Sequence, residues 1–177
     1  CQQLANPDLA VHACTRLLEK LGPRPDLLNR RGIAHLRGGN PREAIEDYSA
    51  ALQLDSEFMW LHYNRGRAQL VVHNYHEAIF DFTAAIARHP LEALPYNGRA
   101  WALFKIGNLP AALEDADHSL ALDVTYAAAF DTRAHIYEAA GKRFEAIRDY
   151  RRALLLDPQN PLAFHSREGL RRLGESP

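Results

Sequence analysis

Glycine stands at positions 32 and 66 and alanine at 100 and 134, four small residues spaced 34 apart. The interval recurs in other columns. One is Ala10, Ala44, Ala78, Ala112 and Ala146, and an aromatic one is Tyr48, Phe82 and Tyr150. Asp47, Asp81, Asp115 and Asp149 form a third, and Arg31, Arg65, Arg99, Arg133 and Arg167 a fourth. A chain this self-similar does not close round one irregular core. It stacks like supersecondary units, each burying its apolar side on the next.

One unit runs from Pro25 to Phe58, PDLLNRRGIAHLRGGNPREAIEDYSAALQLDSEF. Apolar and small residues recur at helical spacing from Leu28 to Leu36, and again from about Arg42 to Leu54. Between them, Gly38-Gly39 supplies a left-handed exit from the first helix, and Pro41 presets the first turn of the second. Asn40 is placed to cap that second helix through its side chain. The spacing therefore predicts two antiparallel helices joined by a tight turn. Gly32 marks the closest approach, against Ala44 and Ala51, and Tyr48 is the bulky wedge towards the neighbouring unit.

This pattern resembles the tetratricopeptide repeat, over nearly the whole chain. The family's aromatic at the fourth position appears as Tyr96 and Phe130 but is Leu28 and His62 in the earlier units. Its Leu at the seventh position is Arg throughout, and its Pro between units survives as Pro90 and Pro158 while Ser56 and Val124 depart. The resemblance implies an all-α fold, a right-handed superhelix (α-solenoid) of antiparallel helix pairs. Whole repeats are expected at 25–58, 59–92, 93–126 and 127–160, with a partial repeat over 1–24 and a capping helix over 161–177. Glu168, in the small column, would obstruct a further helix at close approach. The stretches ACTRLLE, YNGRAWALFKIG, DTRAHIYEAAGK and SREGLRRLG add a likeness to exported bacterial proteins of this family, as in alphaproteobacteria, and lean the location towards the cell envelope or periplasm rather than the cytoplasm.

The chain holds 21 basic and 22 acidic residues, with no basic stripe along it, so nucleic acid and anionic membranes are not expected partners. No apolar run approaches the ~18 residues of a membrane span. The chain opens inside a repeat unit, which leaves a leader or upstream segment open. Cys1 and Cys14 are the only cysteines, on facing helices of the partial first unit. A disulfide between them would staple that end by about 3 kcal/mol in the chain-entropy picture. Ordinary thiols, or a lipid-bearing Cys1, are the alternatives.

The Arg and Asp columns are expected to form a ladder of ion pairs, structural in role. Two pairings are open: within a unit, Arg31 level with Asp47, or between units, Asp47 with Arg65. Arg holds a carboxylate with two parallel hydrogen bonds, fixing geometry as well as charge. The alternative is that the Arg stems pack while their heads reach water.

By family geometry the first helices line a concave groove. Its exposed positions are Asn29, Ile33 and Arg37, then Trp60, Tyr63, Asn64 and Arg67. The series continues with Asn97, Trp101 and Lys105, then Asp131, His135 and Glu138. Rigid aromatics with a few directed donors make the composition of an interface core. The expected function is therefore a non-catalytic protein-interaction scaffold that holds a peptide or partner helix in the groove. The alternatives are a self-assembling scaffold, a homo-oligomer through its terminal helices, or the recognition module of a larger enzyme. One subclass of the family clamps acidic chaperone tails with Lys and Asn on successive first helices. The matching positions here are Asn29, Ile33, Asn64, Leu94 and Gly98, of which Asn64 alone agrees.

Nine histidines raise the question of a metal. His73 and His76 flank the turn of the second unit, where Gly is expected, and two such ligands make a weak site. No metal, no cofactor and no catalytic residues are expected. Gly38-Gly39 is a helix turn rather than a phosphate loop, and no Ser-His-Asp or Cys-His grouping is legible.

Overall fold

A computed structural model describes residues 6–58, 60–159 and 163–176. Among these there are ten α-helices and no strand. They fall into two compact units, residues 1–88 and 89–177. The first unit holds α1 (Pro7–Leu21), α2 (Pro25–Arg37), α3 (Pro41–Leu54), α4 (Leu61–Val71) and α5 (Tyr75–Arg88). The second holds α6 (Ala93–Lys105), α7 (Leu109–Leu122), α8 (Ala127–Ala139), α9 (Arg143–Leu156) and α10 (Ala163–Arg172).

Within each unit every helix packs on the next in sequence, and alternate helices meet on one side only. In the first unit α2 touches α4, and in the second α6 touches α8 and α8 touches α10. No such contact joins α1 to α3, α3 to α5 or α7 to α9 among the described residues. The first helix of each pair is therefore crowded against its counterpart, and the second helices stand apart.

The turns explain why pairs form at all. In the first, the Asn40 amide donates to the His35 carbonyl at 2.9 Å and the Gly39 amide to the Leu36 carbonyl at 3.3 Å. These two bonds satisfy carbonyls at the end of α2 while the chain reverses. The same pair of bonds ends α4, α6 and α8, at residues 73–74, 107–108 and 141–142. The geometry demands a left-handed residue, supplied by Gly39, Gly107 and Gly141. In α4 it falls on His73, whose φ of 62° an L-residue adopts at a cost of about 1 kcal/mol. Asn40 does not cap as expected: its side chain makes no hydrogen bond to α3. Asn6 and Asn108 do cap, accepting from amides of α1 and α7.

The core is a seam rather than a centre. Tyr48 is fully buried among Leu28, Ala44, Ala51, Leu61 and Ala68, drawn from α2, α3 and α4. A methyl at Gly32 would lie 2.6 Å from Cε1 of the Tyr48 ring. Only hydrogen fits between that helix and the wedge. Phe82 packs likewise on Gly66, and Tyr150 on Gly169 of α10. Burying a Phe-sized ring completely is worth about 3 kcal/mol.

Candidate functional site

The arginines at the seventh position are built into each unit by two-pronged pairs. Arg31 donates through Nε and Nη2 to Asp47 at 2.9 and 2.6 Å. Arg65 holds Asp81 at 2.8 and 2.7 Å, Arg99 holds Asp115 at 2.6 and 2.8 Å, and Arg133 holds Asp149 at 2.6 and 3.2 Å. The pairing joins the two helices of one hairpin. The third nitrogen reaches back to the preceding second helix. Arg31 Nη1 donates to Thr15 Oγ1 at 3.2 Å, Arg65 Nη1 to Ser49 Oγ at 3.1 Å and Arg133 Nη1 to Asp117 Oδ1 at 2.7 Å. Each of these three guanidiniums thus ties three helices. Its partner holds the Arg31 and Arg99 guanidinium above the usual range, the hydrogen-bonded carboxylate outweighing burial.

Arg167 stands outside this series. Its Nη2 donates to the Pro158 carbonyl at 3.0 Å. The residue 16 before it is Arg151, a like charge where the others find Thr, Ser or Asp. The column Thr15, Ser49 and Asp117 is not among the sequence expectations. Its signal is the same 34-residue interval, hidden because the residue type changes along it.

In the first unit, the α2 and α4 side carries half-exposed Asn29, Ile33, Tyr63 and Asn64, and exposed Arg67. Asn64 Nδ2 donates to Asn29 Oδ1 at 3.0 Å, joining the two helices. Trp60 does not lie on α4. It is the residue before the helix, with a left-handed backbone at φ 69°. Its ring meets Tyr63 edge-on, centroids 5.7 Å apart. Arg67 places its guanidinium 5.7 Å from the Tyr63 ring centre. Burial pushes the Tyr63 hydroxyl above its ordinary pKa.

In the second unit, Trp101 of α6 is half-exposed and packs on Phe104 at 5.3 Å and edge-on against His135 of α8 at 5.5 Å. Lys105 is exposed, its Nζ 5.7 Å from the Trp101 ring centre. Asn97 donates to the Tyr126 hydroxyl at 3.4 Å, and its own Oδ1 is buried without a partner. Asp131, expected on the exposed face, is buried instead. Its carboxylate takes the Ser166 hydroxyl of α10 and lies 3.5 Å from His135 Nδ1. Placed 35 residues apart, as are Asn29 and Asn64, Asp131 and Ser166 make a bond between adjacent first helices. Burial pushes the Asp131 carboxyl above the usual range, opposed chiefly by His135. Glu138 is committed too, to Arg172 at 2.9 Å and to the Tyr150 hydroxyl at 2.6 Å.

Cys14 is fully buried on α1. Cys1 lies outside the described residues. His73 Nδ1 lies 2.9 Å from the Tyr75 hydroxyl, and no cluster of three or more His, Cys, Asp or Glu residues suited to a metal occurs among the described residues. No helix among them is long and apolar enough to cross a membrane.

Models of the tetratricopeptide repeat match residues 25–58, 63–123 and 127–160. Among solved structures, a crystal structure of MamA is 23% identical with a TM-score of 0.76, covering 86% of this chain and 90% of that one. TTC0263, a thermophilic TPR protein in Thermus thermophilus, is 19% identical with a TM-score of 0.78, covering 93% and 91%. The second TPR domain of human RPAP3, solved in complex with the HSP70 peptide SGPTIEEVD, is 30% identical with a TM-score of 0.57, covering 65% of this chain and 93% of that domain. No curated protein matches the chain.

Proposed function

We propose that this chain, which belongs to the tetratricopeptide repeat family, is a non-catalytic protein-interaction module that holds a peptide or partner helix on its first helices. On this reading the whole repeats are 25–58, 59–92, 93–126 and 127–160. The observation that carries it is the second unit's half-exposed Trp101, packed on Phe104 and edge-on against His135 beside exposed Lys105. Such a ring is rigid before a ligand arrives, so little ordering entropy opposes binding. In the first unit, Asn29 and Asn64 offer amides suited to an extended backbone, with Trp60, Tyr63 and Ile33 beside them and Arg67 adding charge. Asn97 supplies a buried, unpartnered oxygen next to Trp101's helix face, and Asp131 and His135 support that face from behind.

The human RPAP3 domain is similar to this chain and was solved with an HSP70 peptide. Of the clamp positions here Asn64 alone agrees; Ile33, Leu94 and Gly98 lack the Lys and Asn that grip an acidic chaperone tail. The ligand of this face is therefore of another composition. The likeness to exported proteins supports a bacterial envelope location within the same proposal.

A pull-down from the native host, comparing wild type with Trp60→Ala/Trp101→Ala, tests the reading. Loss of a specific partner from the double variant supports it, and equal recovery by both ends it. For a purified ligand, Trp101→Ala is expected to weaken binding by about 2 kcal/mol, roughly 30-fold in Kd. Self-association through α10 is the second reading, favoured by Phe164, which is 60% exposed on that helix. Light scattering over a concentration series reads it directly.

A further inference from the structure

On α8, residues 130, 133 and 137 lie well round the helix from 131, 135 and 138, at 100° per residue. Of the first set, Phe130 and Arg133 line a shallow cleft between α8 and α9, of about 370 Å³. Its walls are basic: Arg133 from α8 and Arg148, Arg151 and Arg152 from α9. Its apolar part is Phe130 with Leu155, the latter 72% exposed. The single acidic residue among the lining groups, Asp149, is 1% exposed, with its oxygens taken by Arg133 and Arg148. It presents almost no negative charge to the cleft.

The arginines are unequally occupied. Arg133 is saturated by Asp149 and Asp117. Arg151 gives one nitrogen to Glu175, and Arg148 gives its Nε to Asp149 while its side chain stays 64% exposed. Arg152 makes no ion pair among the described residues; its guanidinium lies 5.9 Å from the Phe130 ring centre. Arg148, Arg151 and Arg152 are spaced i, i+3 and i+4 on one helix, where like charges repel. The chain as a whole carries a net charge of −1, so this is a local concentration of positive charge against the average.

We propose that this cleft is a second docking site, for an acidic peptide segment of a partner protein that carries an apolar side chain between its carboxylates. The apolar side chain lies on exposed Leu155, beside the nearly buried Phe130 ring, and the carboxylates meet Arg148 and Arg152. Neighbouring arginines on a helix hold their stems about 6 Å apart. That spread suits carboxylates spaced along a peptide better than convergence on one phosphate. This site is separate from the first-helix face and does not depend on it.

Fluorescence anisotropy with the full chain tests the proposal. The probe is a labelled ten-residue peptide with four glutamates around a central leucine. Its counterparts replace the glutamates with glutamine, or with a single phosphoserine. The glutamate peptide is expected to bind at least tenfold tighter than the glutamine one, and to weaken as salt rises. Arg148→Gln/Arg152→Gln is expected to reduce its affinity about tenfold, as befits two exposed charge pairs, with circular dichroism unchanged. The charge-keeping Arg148→Lys/Arg152→Lys is expected to retain most of it, and Trp101→Ala to leave it unchanged. Equal binding of the glutamate and glutamine peptides, or unchanged affinity in the glutamine variant, overturns the proposal. Tenfold preference for the phosphoserine peptide overturns the carboxylate assignment. A loss confined to Trp101→Ala overturns this site while leaving the first-helix reading intact.

Discussion

Asp81 is 1% exposed, accepts from Arg65 Nε and Nη2, and lies 3.1 Å from His62 Nδ1. Such a carboxylate is costly to bury and costlier to lose, since its removal leaves Arg65 facing an interior without compensation. Asp81→Asn is expected to destabilise the protein by about 2 kcal/mol or more, measured by chemical denaturation. Glu77→Gln, on the exposed side of the same helix, is expected to stay within about 0.5 kcal/mol. Equal effects would mean that the guanidinium exchanges its partner for water at no cost. At the other end of α4, His73 occupies a left-handed turn position that glycine fills in three other hairpins. His73→Gly is expected to stabilise by about 0.5–1 kcal/mol, reduced by the loss of the Tyr75 contact. A lower melting temperature in that variant would assign the Tyr75 contact the larger weight.

At the level of the element, α10 is held by one close approach and one polar cluster. Gly169 lies against the Tyr150 ring, so a methyl there has no room. That ring cannot move freely, because its hydroxyl is bound to Glu138, which Arg172 grips through two nitrogens. Gly169→Ala is expected to loosen α10, read as faster amide exchange in 163–172 with α6 and α7 unaffected. The Arg172 hydrogen bonds hold the Glu138 carboxyl below its ordinary range, with a further contribution from the Tyr150 hydroxyl. A carboxylate depressed in the folded state adds stability above its unfolded pKa, about 4.3, and loses it as pH falls through the folded value. The stability gap between wild type and Glu138→Gln is therefore expected to be full at pH 7 and to close below about pH 4. A gap independent of pH would remove the ion pair from the account.

For the molecule as a whole, each unit is a chain of neighbour contacts: α1 on α2 on α3 in the first, and α8 on α9 on α10 in the second. Stability in such an array is close to a sum of local terms. Deleting residues 163–177 removes Leu170 from the cluster that buries Ala146, Ile147 and Tyr150. The expected result is a loss concentrated in α9, visible as amide exchange there rising well above that of α6 and α7. Uniform acceleration across the second unit would show one cooperative block instead.

The hairpins themselves were legible in the sequence, because a helix turn with glycine at one place and alanine at another repeats wherever the 34-residue interval repeats. That periodicity encodes neighbours in sequence and the small residues at which two helices meet. It does not encode choices between candidates that lie equally near along the chain. Only the tertiary structure decided that Arg31 takes Asp47 rather than leaving it to Arg65, since the distance between facing helices is what selects the partner. The same is true of Asp131, drawn inside by Ser166 on a helix 35 residues away, and of Trp60, turned into a left-handed cap. The basic cleft was legible only in part for a related reason: Arg148, Arg151 and Arg152 are neighbours in sequence, but Arg133 and Phe130 join them only once α8 lies against α9.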